Sequence, residues 1–481
     1  MAPELQSRPI QPNLDLELPA GTMRDLVDKA LERIVDHISS LPGQPSADVE
    51  GYEALARSLA EPLPERPTEY AALLDLLFKE LVPKSFNTAG PGYLAYIPGG
   101  GLFHSAVADL ISDAVNRYVG VWIAAPGLAQ LEANVIRWFS AIVGYPAEAR
   151  GILTTGGSLA NFTALVTARR NLLPDDFLSG TLYASDQVHH SVVKAAMLAG
   201  FPAANVREIA TDDRYRIRLD HLEKSVETDR RGGLRPFLIV GNAGTTNTGA
   251  VDDLDGLADV AERQNAWLHI DAAYGGFFML TRKGREVMHG IERAHSITLD
   301  PHKGLFLPYG TGSLLVRDGD ALRRAHAVDA SYLPPMQQDT DLVDFCLYSP
   351  ELSRDFRGLR VWLPFKMHGI EPFRRNLEEK LELAAWAAEE LRSIPSIEIV
   401  AEPQLSLVAF RVARSGLNTE AENELNRRLM LKVNARKRVY LTGTILRGKF
   451  VIRICVLSFR THFDRVEAAL EDLRSALRDL T

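Results

Sequence analysis

Short apolar runs alternate with amphipathic helical stretches over residues 87–365. Such alternation is typical of strand–helix–strand units, in which helices connect parallel strands. The pattern therefore predicts an α/β domain built on a mostly parallel sheet. The predicted strands of this domain cover residues 181–184, 206–210, 236–240, 266–270, 295–299 and 312–317.

The pattern changes after Pro364, where a long charged helix over residues 371–393 leads into four apolar runs and two further helices. This change predicts a smaller α+β domain. We therefore expect an N-terminal arm with helices over residues 1–86, a large domain over 87–365 and a small C-terminal domain over 366–481. The predicted elements of the small domain are strands at 396–400, 405–412, 439–442 and 450–457, and helices at 419–433 and 464–480.

The N-terminal segment combines a proline-rich arm, residues 1–21, with an amphipathic helix, and a further helix is predicted over residues 70–81. Thr22, with Asp25 three residues later, predicts the N-terminus of the first helix. Apolar residues then recur along one helix face, which must be buried against a partner subunit or against the chain's own domain. The sequence leaves both possibilities open. The face comprises Met23, Leu26, Val27, Ala30, Leu31, Ile34, Val35, Ile38 and Leu41.

Charge and composition argue against several classes of partner. The formal net charge of −8, without a basic cluster, disfavours nucleic-acid binding. No apolar run reaches the roughly 18–20 residues that span a bilayer, and no secretory leader is recognisable. Cys346 and Cys455 lie far apart and have no metal-ligand spacing. We therefore predict a cytoplasmic protein with no nucleic-acid, membrane or metal partner.

A lysine and an aspartate follow two of the predicted strands. Lys303 lies shortly after the run at 295–299, and Asp271 directly follows the run at 266–270. Because ligands of open α/β sheets bind at the carboxyl ends of the strands, we expect the two side chains to share a site. A lysine able to form a Schiff base, with an aspartate aimed at a heteroaromatic nitrogen, is the minimal set for holding pyridoxal phosphate.

The surroundings of both residues favour this interpretation over an ordinary surface lysine and a turn aspartate. The apolar segment 305–308 predicts a partly dry setting, in which we expect Lys303 to be neutral and nucleophilic. Ala272 and Ala273 leave room for a flat ring against the backbone. An ionised Asp271 would keep the ring nitrogen protonated and the ring electron-withdrawing.

A phosphate-binding turn is predicted within residues 154–161. Gly156 and Gly157 let backbone amides converge, and Ser158 adds a hydroxyl. The helix that follows points its positive end at the same place. Taken alone, such a turn is more often a simple capped helix start.

Two further polar segments follow strands of the predicted sheet. His189 and His190 come after the run at 181–184, and no third ligand at a suitable spacing supports a metal site there. An imidazole stacked on the cofactor ring and able to reach a substrate carboxylate fits better. Thr246 belongs to the turn at 244–249, whose composition is equally explained by turn geometry.

Together these motifs resemble the group II pyridoxal-phosphate decarboxylases, the family of the aromatic L-amino-acid, histidine and glutamate decarboxylases. The resemblance spans most of the chain. It implies a fold type I (aspartate aminotransferase-like) homodimer with exchanged N-terminal segments and active sites built from both subunits. The motifs that carry it are, in order, residues 154–161, 185–191, 244–246, 269–273 and 301–303.

The resemblance implies a set of cofactor contacts. Lys303 would form the Schiff base with pyridoxal 5'-phosphate, Asp271 would pair with the pyridine nitrogen, and His189 would stack on the ring. The glycine, serine and histidine among the remaining residues would hold the phosphate, with help from residue 300. These remaining cofactor-binding residues are Gly157, Ser158, Thr246, Ala273 and His302.

The resemblance also implies catalytic and substrate contacts. Residues 329–335 match a mobile loop of the family, whose Tyr332 would protonate the substrate carbon after carbon dioxide leaves. Family members with phenylalanine at that position tend to make aldehydes, so Tyr332 favours plain decarboxylation. Tyr96 and Pro98 would lie near the substrate.

Four positions depart from the family pattern. Asp300 and Gly304 stand where aromatic decarboxylases commonly carry asparagine and tryptophan. An acid close to a phosphate is unfavourable unless it faces away or finds a partner. Ile97 replaces an aromatic residue of the substrate pocket, and Gly120 stands where a bulky residue of the partner subunit is expected.

The sequence thus predicts a carboxy-lyase that converts an L-amino acid, with aromatic or other bulky side chains favoured, to its amine and carbon dioxide. An aldehyde synthase or another carbon–carbon lyase of the same fold is the alternative. The presence of both Lys303 and Asp271 disfavours a non-catalytic relative. A nicotinamide dehydrogenase is disfavoured because no Gly-x-Gly-x-x-Gly turn follows a strand.

Overall fold

The structure, a computed structural model, describes residues 14–328, 336–337, 339 and 341–480. The chain divides into two units, Met1–Asn87 and Thr88–Thr481. The three-part division predicted from the sequence, with its second boundary after Phe365, stays a prediction.

The first unit is helical in its described part. Its α-helices are α1 (Ala20–Ser40), α2 (Tyr52–Ser58) and α3 (Tyr70–Asp75). The predicted cap at Thr22 is wrong, because α1 begins two residues earlier with Pro19 as its N-cap and without a side-chain hydrogen bond. Proline restricts φ to helix-compatible values, which lets it precede a helix without a capping side chain. The helix predicted over 70–81 is α3, continued by the π-helical stretch Leu76–Leu81.

One face of α1 carries exposed apolar side chains. Met23, Val27, Leu31 and Val35 recur every four residues, and each is 42–50% exposed. No residue of α1 is buried. The apolar stripe that the sequence predicts is therefore accessible at the surface.

A seven-stranded sheet forms the centre of the second unit's described residues. Its strands are β1 (Arg150–Thr154), β2 (Gly180–Ser185), β3 (Val206–Ile209), β4 (Arg235–Asn242), β5 (Trp267–Asp271), β6 (Ser296–Leu299) and β7 (Gly312–Val316). They are ordered β1-β7-β6-β5-β4-β2-β3. Pairing is parallel from β6 to β3, whereas β7 runs antiparallel to both β6 and β1. The α/β class and the mostly parallel sheet are confirmed.

The sequence pattern did not predict β1. Its five residues pair with β7, from Arg150 opposite Val316 to Thr154 opposite Gly312. A short segment whose only strand partner lies far along the chain has little local pattern to reveal it.

Helices connect and cover these strands. The central strands β5, β6 and β7 are buried along their whole length, as expected for strands packed on both faces. No described helix is both long and apolar enough to cross a membrane. The helices of this part of the chain are α4 (Phe103–Val115), α5 (Pro126–Ile142), α6 (Gly157–Leu172), α7 (His190–Leu198), α8 (Leu219–Arg231), α9 (Leu254–Gln264), α10 (Arg282–Val287), α11 (Pro301–Gly304), α12 (Gly319–His326) and α13 (Leu359–His368).

A second, antiparallel sheet follows α13. It contains β8 (Ile397–Ala401), β9 (Leu407–Val412), β10 (Thr442–Leu446) and β11 (Lys449–Cys455), ordered β10-β11-β9-β8, with α14 (Glu371–Arg392), α15 (Thr419–Asn434) and α16 (Phe463–Arg478). The strand predicted at 439–442 is wrong in position. Tyr440 instead bridges to the segment before α4, donating its N–H to the Gly92 carbonyl and accepting from the Leu94 N–H. β10 therefore begins only at Thr442.

Candidate active site

A cavity of about 290 Å³ lies beside the carboxyl ends of β4, β5 and β6. The loops that follow parallel strands meet at this edge, which is where the sequence predicts a ligand. All eight residues predicted to bind the cofactor line the cavity, namely Gly157, Ser158, His189, Thr246, Asp271, Ala273, His302 and Lys303.

Asp271 ends β5 and presents its carboxylate to this cavity. The side chain is buried, and both oxygens accept hydrogen bonds. Oδ1 accepts from the Ala273 N–H at 3.1 Å, and Oδ2 accepts from Asn161 Nδ2 at 2.8 Å. Two N–H donors therefore hold the carboxylate in place.

Asn161 is the residue that orients Asp271. Its Oδ1 accepts from Thr298 Oγ1 at 2.7 Å and from His269 Nε2 at 3.0 Å. Its Nδ2 donates to Asp271 and, at 3.0 Å, to Ser191 Oγ. Since a carboxylate must be met by the N–H side of the amide, this network fixes the amide's orientation.

The hydrogen-bonded network continues beyond His269, and the donor of each bond can be assigned. The oxygen of Asn161 can only accept, so His269 Nε2 carries the proton. His269 Nδ1 then accepts from Ser296 Oγ at 2.8 Å, and Ser296 in turn accepts from Trp267 Nε1 at 2.8 Å. Burial lowers the pKa of His269 to about 4, which matches this neutral tautomer. This series of hydrogen bonds from Trp267 to Asn161 therefore fixes the position of the Asp271 carboxylate, and every side chain in the series is neutral.

His189 is held by its position as the N-cap of α7. Its Nδ1 accepts from the Ser191 N–H at 3.3 Å and lies 2.8 Å from Ser191 Oγ. Burial lowers the pKa of His189, ahead of the opposing effect of the Asp271 charge. The imidazole is therefore neutral near pH 7, with its proton on Nε2.

Lys303 lies on the short helix α11, and its Nζ pairs with Asp300 Oδ2 at 2.9 Å. The expectation of a neutral lysine is wrong. Burial lowers the pKa of Lys303, but the charge and hydrogen bond of Asp300, with a further contribution from Asp271, raise it above its ordinary value. The lysine is thus a half-buried ammonium whose counter-ion, Asp300, lies three residues earlier in the chain.

The predicted phosphate-binding turn lies opposite Asp300. A Cβ added to Gly157 would come within 3.0 Å of Asp300 Oδ2 and 3.4 Å of Ala273 Cβ. His302 is fixed by its Nδ1, which donates to the Thr311 carbonyl at 2.6 Å. Only a glycine at position 157 keeps this corner of the cavity open.

Thr246 is positioned through its backbone by an arginine of the second sheet. Arg453 on β11 hydrogen bonds to the carbonyl of Thr246, to that of Asn247 at 3.2 Å and to Thr442 Oγ1 at 3.2 Å. The turn after β4 is thereby tied to β10 and β11.

Tyr96 and Pro98 do not belong to the residues that line the cavity. Tyr96 has a left-handed backbone with φ of 52° and is 53% exposed, whereas Pro98 is buried. The next residue, Gly99, is packed against the backbone of His302 so closely that a Cβ would lie 2.0 Å from its carbonyl oxygen. Tyr332 lies outside the described residues. The roles predicted for these three residues stay predictions.

Two of the departures from the family pattern have local explanations. A Cβ on Gly304 would lie 2.8 Å from Phe277 Cβ, so a buried phenylalanine fills the space beside α11. At Gly120 a Cβ would lie 2.7 Å from the hydroxyl oxygen of Tyr118. Buried Phe277 therefore requires a small residue at position 304, whereas the ring of Tyr118 occupies the space next to Gly120.

Residues 53–413 match the family model of the pyridoxal-dependent decarboxylase conserved domain. The chain belongs to this family. It is 36% identical over 449 residues to an aromatic-L-amino-acid decarboxylase of Bacillus atrophaeus, which covers 93% of this chain and 94% of the relative. The decarboxylase also superposes on Oryza sativa TDC solved with PLP and tryptamine, with a TM-score of 0.92, 27% identity and coverage of 96% and 99% of the two chains. A Rhodiola rosea 4-hydroxyphenylacetaldehyde synthase shares the fold, with a TM-score of 0.89 and 23% identity over 96% and 99% of the two chains.

The predicted recognition, fold type I architecture and cofactor are confirmed: the chain is a pyridoxal-phosphate-dependent amino-acid decarboxylase, a carboxy-lyase. The cavity fits this cofactor. It offers an amine for an aldehyde and a carboxylate for a ring nitrogen, and the missing side chain at Gly157 leaves space beside Ser158. Each group of the cofactor thus meets a residue of matching chemistry.

Sequence reasoning missed the roles of Asn161 and Ser191 in this decarboxylase. Both lie within motifs that the sequence singled out, yet their contacts cross between α6, α7 and β5. A signal existed in the helical spacing. Asn161 follows Gly157 by four residues and so shares the face of α6 that begins at the predicted phosphate-binding turn.

Replacing Asn161 by alanine removes the donor to Asp271 Oδ2 and leaves His269 Nε2 without its acceptor. We expect kcat to fall by about 10-fold to 100-fold, the range typical when a group that orients a functional side chain is lost. The measurement is steady-state kinetics at saturating cofactor. Asn171→Ala is the matched control, because Asn171 lies on the same helix and its hydrogen bonds to described residues go to the carbonyls of Thr167 and Ala321 and to Arg324. Equal losses in both variants would contradict the orienting role.

Proposed function

We propose that the decarboxylase acts on L-amino acids with aromatic side chains and releases the corresponding amine and carbon dioxide. The observation that carries this proposal is that Lys303 and Asp271 line the same cavity. The substrate class is supported by the relatives, among them the aromatic-L-amino-acid decarboxylase of Bacillus atrophaeus and the Oryza sativa TDC with tryptamine.

Pyridoxal phosphate, when bound, supplies an aldehyde for attachment and a ring that withdraws electrons from the bond to be broken. In this proposal Lys303 would hold the cofactor through its amine. Asp271 would keep a proton on the ring nitrogen, and the hydrogen bond from Asn161 Nδ2 would hold the Asp271 carboxylate in place. Asp271 thereby acts on the reaction through charge rather than through proton transfer.

His189 would lie against the face of the ring. Its Nδ1 is occupied by Ser191, so its Nε2–H is the group free to donate to a substrate carboxylate. The neutral state favoured by burial suits this role, because an uncharged imidazole orients the carboxylate without stabilising it as a strong ion pair.

The opposite end of the cofactor would be held at the start of α6. Gly157 and Ser158 supply backbone N–H groups and a hydroxyl at a helix N-terminus, where a phosphate is favoured by the helix dipole. His302 would complete the contacts, with its ring fixed by the Thr311 carbonyl. Ala273 and Thr246 would border the ring on the β5 and β4 sides.

We propose that Tyr96 and Pro98 contact the substrate and that Tyr332 protonates its carbon after carbon dioxide leaves. Support for the first part comes from Gly99, which packs directly on the backbone of His302 next to the proposed attachment lysine. Support for the second is the resemblance of the segment at 329–335 to the family's loop.

The test of substrate and reaction type is a screen of the twenty L-amino acids for carbon dioxide release by purified enzyme with added cofactor. We expect aromatic substrates to give amine and carbon dioxide in equal amounts. Ammonia, peroxide and aldehyde in place of amine would establish the aldehyde synthase alternative. Turnover of only acidic or small substrates would overturn the proposed substrate class.

We also propose that the enzyme is a homodimer with its active site at the interface. Two apolar faces support this: Met23, Val27, Leu31 and Val35 on α1, and separately Leu110, Ile111 and Val115 on α4, which are 45–52% exposed. Exposed stripes of this size on neighbouring helical turns are typical of surfaces that a partner covers.

The double variant Val27→Glu/Leu31→Glu should convert the dimer to monomer and remove most of the activity. Burying two carboxylates in an apolar interface costs several kcal/mol, which raises the dissociation constant by more than about 100-fold. Light scattering coupled to size exclusion measures the mass. Leu178→Glu, at a residue 56% exposed but outside both faces, is the control that should remain dimeric. A wild-type enzyme that is a fully active monomer would rule out the interface.

We further propose a cytoplasmic location. Cys346 and Cys455 are both free, as expected of thiols in a reducing compartment. Cell fractionation of the native host tests this, and enrichment outside the cytoplasm would contradict it.

A further inference from the structure

A second cavity lies at the edge of the seven-stranded sheet opposite to the active site. Its volume is about 510 Å³, which is within the range of small-molecule sites. It is formed where β5 and β6 begin and where the antiparallel β7 ends. We call it the back cavity, and its lining includes Pro146, Glu148, Leu172, Trp267, His295 and Arg317.

Four ionised side chains line the back cavity, two of each sign. Two of them satisfy each other, because Arg324 Nη2 lies 3.2 Å from Asp318 Oδ2. The side chains of Arg317 and Glu148 form no ion pair or hydrogen bond with the described residues. An unmatched cation and an unmatched anion in one cavity complement a ligand that carries both charges.

The remaining lining supplies a neutral donor and apolar surface. His295 Nδ1 accepts from the Leu268 N–H at 2.9 Å, so the proton of the neutral imidazole lies on Nε2. The Trp267 ring lies 5.1 Å from the His295 ring, and Leu172 and Pro146 add further apolar contact area. The back cavity thus has partners for a carboxylate, an ammonium and an apolar group, which are the parts of a free α-amino acid.

Trp267 connects the back cavity to the active site. Its Nε1 donates to Ser296 Oγ at 2.8 Å, which is the first bond of the network that runs through His269 and Asn161 to Asp271. All five side chains are at most 7% exposed. Trp267 begins β5 and Asp271 ends it, about 13 Å away. In a buried network each bond polarises the next, so a change at the indole alters the hold on the carboxylate.

We propose that the back cavity binds a free α-amino acid with an apolar side chain, and that this ligand acts on Asp271 through Trp267. The ligand carboxylate would pair with Arg317 and accept from His295 Nε2, and its ammonium would pair with Glu148. The effect on Asp271 rests on the proposed contact of that residue with the cofactor ring, whereas binding to the back cavity does not. By linkage, the amino acid and the cofactor then change each other's affinity by the same factor.

Calorimetric titration of the borohydride-reduced holoenzyme with L-phenylalanine tests the site. Reduction fixes the cofactor in the active site, so the amino acid cannot react there. We expect one binding event, weakened at least about 10-fold in Arg317→Met because a charge-assisted bond is lost. Arg428→Met, at an exposed arginine of α15 outside the cavity, is the matched control and should bind like wild type. Absence of binding to wild type, or equal binding by Arg317→Met, would overturn the site.

Two analogues of phenylalanine test the class of ligand. 3-Phenylpropionate lacks the ammonium, and phenethylamine lacks the carboxylate. We expect each to bind the reduced holoenzyme at least about 10-fold more weakly than phenylalanine. Glu148→Gln should weaken the binding of phenylalanine but not that of 3-phenylpropionate. Equal affinities for phenylalanine and 3-phenylpropionate would overturn the assignment of an amino acid.

The coupling is the ratio of the phenylalanine affinities of the reduced holoenzyme and the apoenzyme, after subtraction of the binding that persists in Arg317→Met. We expect a ratio that differs from 1 by a factor of at least about five. Ser296→Ala interrupts the network outside the back cavity, so phenylalanine should still bind while the ratio falls to about 1. Ser313→Ala, at a buried serine of β7 whose hydroxyl has no partner among the described residues, should keep the wild-type ratio. A wild-type ratio of 1 would overturn the coupling.

Peptide mass spectrometry of the reduced enzyme separates these failures from a failure of the proposed function. A cofactor label on Lys303 together with a ratio of 1 overturns the coupling and leaves the proposed function intact. A label elsewhere, or none, overturns the proposed function, whereas binding that depends on Arg317 would still establish the back cavity as a site.

Discussion

Alanine in place of Lys303 yields an enzyme that no longer retains its cofactor covalently and decarboxylates amino acids at least about 1,000-fold more slowly. The cavity has one lysine, and its Nζ is the amine that meets the aldehyde in the proposed mechanism. Loss of visible absorbance by the bound cofactor and loss of carbon dioxide release are the two measurements. Both should fail together, because attachment and the release of product use the same nitrogen.

Two further variants distinguish the loss of cofactor attachment from a general disturbance of the fold. Lys303→Arg keeps a positive charge for Asp300 but cannot form the carbon–nitrogen double bond, so it should be as inactive as alanine. Lys194→Ala removes an exposed lysine from α7, close in sequence to His189, and should leave both readouts unchanged. Activity within tenfold of wild type in Lys303→Ala would contradict the assignment of Lys303 as the attachment residue.

Asparagine in place of Asp271 lowers kcat by about 100-fold to 1,000-fold, the range measured for loss of one well-placed electrostatic group. The amide keeps the size of the side chain but cannot stabilise a protonated ring nitrogen. Its NH2 group would also face one of the two donors that the carboxylate accepts from, Asn161 Nδ2 or the Ala273 N–H. The measurement is single-turnover carbon dioxide release with the cofactor bound.

The Asp271 variants also distinguish charge from packing. Asp271→Asn should still bind the cofactor and show its visible absorbance, because Lys303 remains. Asp271→Glu retains the charge but reaches too far, so we expect an activity between those of wild type and Asp271→Asn. Equal kcat values for Asp271→Asn and wild type would show that the charge of the carboxylate does not contribute to the reaction.

The two acids of the cavity have different surroundings. Both oxygens of Asp271 accept hydrogen bonds from neutral N–H donors. Asp300 pairs through Oδ2 with Lys303, and its Oδ1 accepts no hydrogen bond from the described residues.

Local pattern was sufficient for most strands and for bringing the predicted site residues to one cavity. The runs that became β2, β4, β5 and β6 are apolar because both faces of the sheet are covered, and this leaves a clear trace in the sequence. Asp271 and Lys303 could be paired because parallel strands end at one edge. The position of a residue relative to the end of a strand depends only on nearby sequence, so it could be predicted without the tertiary structure.

The sequence by itself thus determined the α/β class, the cofactor and residues that line the cavity. The tertiary structure alone decided their states and partners. The pKa of Lys303 is raised because Asp300 turns inward, Asn161 reaches Asp271 across two elements, and Tyr440 pairs with the segment before α4 instead of joining β10. These outcomes depend on which distant groups share a low-dielectric space and which edge is free to pair. Neither is encoded in the spacing of neighbouring residues.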